Sequence, residues 1–188
     1  QTARIKYSIL KGKEMIEYTW SAATGNDVQP IVDMAEANFQ IEIDQIFTPE
    51  PITYARNIMF AVVNQFYLPT SELISVAKTP EGKLLAYTWA KNGDRTAWSD
   101  DIMVSVRMAH VDLELSPRVR IQLLKDMLRI WENFAHYAGT SVICSTTMRG
   151  ERDTFLKLHA RYGYDVRGSY AYKKLQSQPT APVEGAPV

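Results

Sequence analysis

The chain has 188 residues, 46% of them hydrophobic and 11% aromatic. That is enough apolar material for one ordinary domain with a full core, and it excludes intrinsic disorder of the body. Lysine plus arginine and aspartate plus glutamate both number 21, so the formal net charge is zero. This balance argues against direct nucleic-acid binding, which calls for a basic excess, and suits a protein that lives in an assembly.

Residues 1–15 are polar and basic with little periodicity, and read as an N-terminal arm or an edge strand. Ile16 to Trp20 alternates weakly, as a short strand does. Thr24-Gly25-Asn26-Asp27 supplies a turn and a helix cap, after which Val28, Ile31, Val32, Met34 and Ala35 form the apolar face of a first helix. Pro49 and Pro51 open a second helix whose core stripe is predicted to be Ile52, Ala55, Ile58, Met59, Val62, Val63 and Phe66. Leu73 to Lys78 and Leu84 to Lys91 are two strands joined by the compact turn Thr79-Pro80-Glu81-Gly82. A third strand is expected from about Ile102 to Leu115. A long helix follows from about Pro117 to Tyr137, with Leu124, Met127, Leu128 and Trp131 facing the core and Gly139 ending it. Val142 to Thr146 reads as a short buried strand, Arg152 to Tyr162 as a helix closed by Gly163, and Gly168 to Lys174 as a last strand.

The middle strands can be antiparallel neighbours, whereas the strand–long helix–strand unit demands a parallel crossover. The fold class is therefore α/β, with a mixed central β-sheet and helices on both faces. The folded domain runs over residues 16–175, and residues 176–188 form a Pro/Ala-rich tail. Such a tail lacks the apolar content to order itself, so it is expected to be held by a protein partner in an assembly. The single cysteine, Cys144, excludes an internal disulfide and any cysteine-based metal cage, and its apolar neighbours favour a buried inert thiol. No apolar run approaches the ~20 residues that span a bilayer and no signal-peptide pattern is present, so the expectation is a cytoplasmic protein without a membrane partner.

The segment Val111 to Leu128 is the most informative. It reads as a buried strand running into a helix, a place where nucleotide-type cofactors dock. Yet the turn Ser116 to Leu123 contains no glycine, and a phosphate-cradling turn needs bare backbone N–H groups and room for close approach.

The order of elements, with Asn26-Asp27-Val28 opening the first helix and a hairpin around Glu81-Gly82-Lys83, resembles the GNAT superfamily of acetyl-CoA-dependent N-acetyltransferases. The stretch Phe155 to Tyr164 resembles that family's late helix with its aromatic-x-x-x-Gly-aromatic ending. The Thr147-Met148-Arg149…Phe155-Leu156 to Tyr170-Ala171-Tyr172 region is similar to GNAT-like proteins encoded near structural genes of tailed bacteriophages. The resemblance covers residues 16–175 and implies a GNAT-like (acyl-CoA N-acyltransferase) fold. It also implies acetyl-CoA as cofactor if the chain is catalytic, and otherwise no cofactor.

The family's pyrophosphate turn is Arg/Gln-x-x-Gly-x-Gly/Ala. The corresponding residues here are Leu115, Arg118, Arg120, Ile121, Gln122 and Leu123, in which Arg118 matches the first position while Ile121 and Leu123 replace the small residues. Each aliphatic side chain at such a contact costs ~1–3 kcal/mol. Two together would weaken binding by about thirtyfold or more. The family's general-acid tyrosine falls on His159, and a histidine can donate a proton.

Asp112 and Glu114 alternate with Val111, Leu113 and Leu115 on the third strand, so both carboxylates point to one face, and their mutual repulsion would suit one of them to serve as base near neutrality. The alternative is a face paired with Arg107, Arg118 or Arg120. His110 with these acids is a weak metal set, and no metal is expected. Arg118 and Arg120 at a helix N-terminus oppose the helix dipole unless an anion binds there.

Two functions follow. One is a GNAT-fold protein with a degraded cofactor loop, acting as a non-catalytic structural or docking component of a larger assembly such as a phage virion, with the tail 176–188 as a contact. The other is a divergent N-acetyltransferase in which Asp112 or Glu114 deprotonates an amine and His159 protonates the leaving thiolate. Exposed amides around residues 118–123 would support the enzyme, and packed Ile121 and Leu123 the scaffold.

Overall fold

A computed structural model describes residues 5–11, 14–42, 47–147 and 153–167, with side chains for 16–39, 47–147 and 153–167. The elements in chain order are β1 (Ile5–Lys11), β2 (Glu14–Ala22), a 3-10 turn (Gly25–Asp27), α1 (Val28–Glu42), α2 (Pro51–Tyr67), β3 (Glu72–Lys78), β4 (Leu84–Asp94), β5 (Met103–Val111), α3 (Pro117–Ala138), β6 (Val142–Cys144) and α4 (Asp153–Arg161). The strands form one sheet in sequence order, antiparallel throughout except for the parallel pair β5–β6. The basic N-terminal stretch thus supplies an edge strand, β1, paired with β2 from Ile5 opposite Trp20 to Lys11 opposite Glu14. The predicted strand over 168–174 and the tail 176–188 lie outside the described residues.

Each face of the sheet carries a helical layer with its own core. Helix α3 packs Val119, Leu123, Met127, Leu128 and Trp131 onto Tyr18, Trp20, Leu85, Val104 and Val106. Helices α1 and α2 cover the other face, where Ile31, Val32, Ala35 and Ile58 meet Ile74, Val76 and Tyr87. A buried carboxyl, Asp126, ties α3 to β2 by accepting from Tyr18 Oη (2.7 Å) and Trp20 Nε1 (3.2 Å). The start of α1 is fixed by Asp27, whose carboxyl accepts from the Thr24 N–H and from Lys78 Nζ at 2.7 Å. Burial pushes the Asp27 pKa up, but the bonds from Lys78 and Thr24 outweigh it, and the net shift is downward.

Three expectations change. The second helix forms where expected, but it is rotated by roughly a quarter turn from the predicted stripe. Ile58 and Ala61 are its buried residues, while Ile52, Met59, Val63 and Phe66 face outward. Polar bonds set this orientation: Gln65 donates to Ala23 O and accepts from the Ile74 N–H, both at 3.0 Å. The strand before α3 ends at Val111 rather than Leu115. The short strand β6 is only partly covered, with Val142 on the outside.

One irregularity shapes the site. Trp89 pairs with Met108 and Ala90 with Val106, so Arg107 is an extra residue in β5. Such a bulge breaks the alternation of faces. Val104 and Val106 enter the α3 core, whereas Met108 packs on the α1/α2 side.

Candidate functional site

The strand–helix crossover brings the C-terminal end of β5 to the start of α3. The parallel ladder between β5 and β6 runs only from Met103 opposite Val142 to Ser105 opposite Cys144, while β5 continues to Val111.

The turn between β5 and α3 corrects the placement of the paired acids on one strand face. Asp112 Oδ1 accepts the Glu114 N–H at 2.9 Å and the Leu115 N–H returns to Asp112 O at 3.2 Å, which bends the chain out of the sheet. Asp112 Oδ2 lies 2.8 Å from Lys83 Nζ, so its nearest charge is a lysine in the β3–β4 turn rather than an arginine of α3. The Asp112 carboxylate raises the Lys83 pKa. Glu114 is exposed.

The six expected cofactor residues divide between core and surface. Leu115 and Leu123 are buried in the α3 core, and Gln122 donates to Asp126 Oδ1 at 2.9 Å. Arg118 and Ile121 are exposed, and Arg120 is half-buried with its Nε bonded to no group. Ser116 occupies the N-cap without a side-chain cap bond, and Pro117 follows at N1. The first helical bond is Arg120 N–H to Ser116 O at 3.0 Å, which leaves the Arg118 and Val119 amides without a helical acceptor. Pro117 has no N–H to offer. The packed Leu123 fits the scaffold expectation, and the exposed Ile121 does not.

His159 stands elsewhere, on α4 beneath α3. It is 4% exposed. Its Nδ1 lies 2.9 Å from Phe155 O and its Nε2 3.0 Å from Ser145 Oγ. A carbonyl can only accept, so Nδ1 carries the proton and Nε2 accepts from the Ser145 hydroxyl. Phe155 (4.1 Å between ring centroids) and Tyr164 (4.9 Å) flank the ring. Burial lowers its pKa below 6.5, although the Phe155 carbonyl opposes the shift. The imidazole is neutral at pH 7. Asp112 and His159 are held by separate networks on separate elements, and no bond joins them.

The described residues contain another polar cluster that spacing did not reveal. Tyr54 Oη lies 2.8 Å from Tyr87 Oη, which lies 2.7 Å from His110 Nδ1, joining α2, β4 and β5. The Phe39 ring meets Tyr54 and His110 edge-on at 5.9 and 5.5 Å. Burial drives the Tyr54 phenol pKa well above its usual value. His110 reaches this cluster because of the bulge at Arg107, and it faces Tyr87 instead of the acids at 112 and 114. Beside the cluster is a cavity of about 20 Å³ lined by Val32, Ala35, Phe39 and Tyr54 among others. That is room for about one water. Among the described residues no group of three or more His, Cys, Asp or Glu side chains could hold a metal ion. No helix of the described residues is long and apolar enough to cross a membrane.

The sequence matches no family model and no curated protein. Solved structures do match. A transcriptional regulator from Bacillus halodurans C-125 is 13% identical with a TM-score of 0.62, covering 84% of this chain and 99% of its own. A "predicted acetyltransferase with acetyl-CoA" from Clostridium acetobutylicum is 11% identical at TM-score 0.62, covering 84% and 96%. Glucosamine-6-phosphate N-acetyltransferase from Arabidopsis thaliana is 11% identical at TM-score 0.61, covering 85% and 99%. At these identities the likeness carries the architecture and not the activity. The chain has the mixed α/β fold of the GNAT acetyltransferases.

Proposed function

We propose that the chain is a GNAT-fold protein without acetyl-transfer chemistry, serving as a structural or docking component of a larger assembly. The observation that carries this reading is the state of His159. The residue expected as general acid is a neutral core imidazole whose Nε2 already accepts a hydrogen bond from Ser145 and has no proton to give. Of the acids expected as bases, Asp112 is paired with Lys83, and Glu114 is exposed. The turn supports the same reading at one position, because Leu123 stands where a small residue is expected and is committed to the core. Acetyl-CoA fits these residues poorly. The tail 176–188 remains the proposed partner contact, and a bacteriophage particle is the assembly suggested by the sequence resemblance.

The test is thiol release from acetyl-CoA by the purified full chain, with a polyamine, an aminoglycoside and a lysine peptide as acceptors. The expected result is no release above the protein-free rate. Saturable release with any acceptor overturns the reading.

A second reading, N-acetyl transfer to an amine, has one specific observation in its favour. The uncapped Arg118 and Val119 amides, beside two arginines and an unbonded Arg120 Nε, form an electropositive helix start that would favour an anion.

A further inference from the structure

Helix α2 is apolar on two faces. The buried face rests on the sheet through Ile58 and Ala61. The opposite face carries Ile52, Met59, Phe60, Val63, Phe66 and Tyr67, exposed by 87, 42, 59, 42, 77 and 73%. At the helical step of ~100° per residue all six fall within a sector of about 120°. Arg56 is the single charged residue in that sector. A large side chain offers ~150–250 Å², so at these exposures the stripe presents roughly 700 Å². This exceeds the ~300–600 Å² of the largest patch on a typical monomer and approaches the ~800 Å² that each partner gives to a stable complex.

We propose that a second copy of this chain covers the stripe, with α2 packed antiparallel on α2 about a two-fold axis passing between Met59 and Phe60. This rests on the assembly reading and names its first partner. A two-fold contact must be self-complementary, residue i meeting j and j meeting i. An axis between 59 and 60 sets Ile52 against Tyr67, Arg56 against Val63 and Met59 against Phe60. The aliphatic beginning of each helix thereby meets the aromatic end of the other. The two Arg56 positions fall on opposite sides of the two-fold axis, about 10 Å apart along the helix direction, so no like charges are opposed. Each guanidinium can lay its stem over Val63 and keep its head in water. A partner with a strongly acidic helix would have one Arg56 to answer it and six apolar side chains to desolvate its charges.

Sedimentation velocity of the full chain from about 1 to 100 μM tests this. The expected species is twice the chain mass, falling to single mass in Phe60→Asp and, separately, in Phe66→Glu, both with unchanged circular dichroism. At these exposed positions the substitutions leave the fold intact. A wild-type monomer at the upper concentration, or a dimer that survives both substitutions at undiminished affinity, overturns the proposal. In a Cys144→Ser background, Met59→Cys should cross-link to its own copy under mild oxidation and Ile52→Cys should not. The reverse pattern overturns the antiparallel arrangement. A monomer that also transfers no acetyl group would sink the dimer and leave the non-catalytic reading standing.

Discussion

Replacing Asp126 by alanine should be among the most damaging single changes in the protein. The carboxyl is 1% exposed and accepts from Tyr18 Oη, Trp20 Nε1 and Gln122 Nε2. Tyr18 and Trp20 are themselves 1 and 4% exposed, so both lose this acceptor deep inside the α3 core. A buried donor left short of its acceptor costs ~1–3 kcal/mol, and two such donors give a loss of ~2–6 kcal/mol for Asp126→Ala. That is a large share of the ~5–15 kcal/mol that holds a domain together. In a chain of this length it corresponds to a fall in Tm of ~4–24 °C. Asp126→Asn keeps one acceptor oxygen and should cost about half as much. Urea unfolding at constant m value reads both losses. A double-mutant cycle with Tyr18→Phe should return a coupling above ~1 kcal/mol. An Asp126→Ala chain within ~0.5 kcal/mol of wild type, or a coupling near zero, refutes the idea that this carboxyl clasps β2 to α3.

The cofactor turn offers a paired test: Leu123→Ala should cost ~2–5 kcal/mol because the side chain is fully buried, whereas Ile121→Ala should stay within ~0.5 kcal/mol, and equal losses would mean that the helix register is different. The pH dependence of His159 follows from its lowered folded pKa. The unfolded chain takes up a proton near 6.5 while the folded chain does not, so stability falls as pH drops through 6.5 and levels off below the folded pKa. His159→Phe should flatten that segment of a stability–pH profile, and an unchanged slope would contradict the buried neutral imidazole. At the start of α3, Ser116→Ala should be nearly neutral because Ser116 makes no cap bond, while Ser116→Asp should add ~0.5–1 kcal/mol by capping free amides beside two arginines. A clear loss in Ser116→Ala by thermal melting would show that the cap is formed in solution.

Where local pattern decides structure, the sequence was readable. The 3.6-residue stripe of α3, the Gly139 stop with its φ of 70° and the parallel β5–α3–β6 crossover all follow from spacing and chain geometry. Those features depend on neighbours a few residues away. The end of β5 was not readable, because alternation from Val111 to Leu115 continues in the letters while the backbone is already turned by Asp112, which bonds the amide two residues on and reaches Lys83 in a different turn. The orientation of α2 was hidden for another reason. Ile52, Met59, Phe60, Val63 and Phe66 are as apolar as a core stripe, and only Gln65, bonded to Ala23 and Ile74, shows which face meets the sheet. The Tyr54–Tyr87–His110 cluster needs a bulge at Arg107 to exist, and a bulge without glycine or proline leaves no mark in the sequence. The resemblance pointed to His159 as an acid, and the structure shows it buried in the core. Its surroundings come from Ser145 and Tyr164 on other segments, which spacing alone does not bring together.

The central claim is that the turn between β5 and α3 no longer receives a CoA pyrophosphate. Calorimetric titration of the full chain with acetyl-CoA measures this directly. The account predicts no saturable heat from a folded sample up to about millimolar cofactor. Micromolar binding, weakened when Arg118 and Arg120 are replaced by alanine, would contradict it and give the acetyltransferase reading precedence.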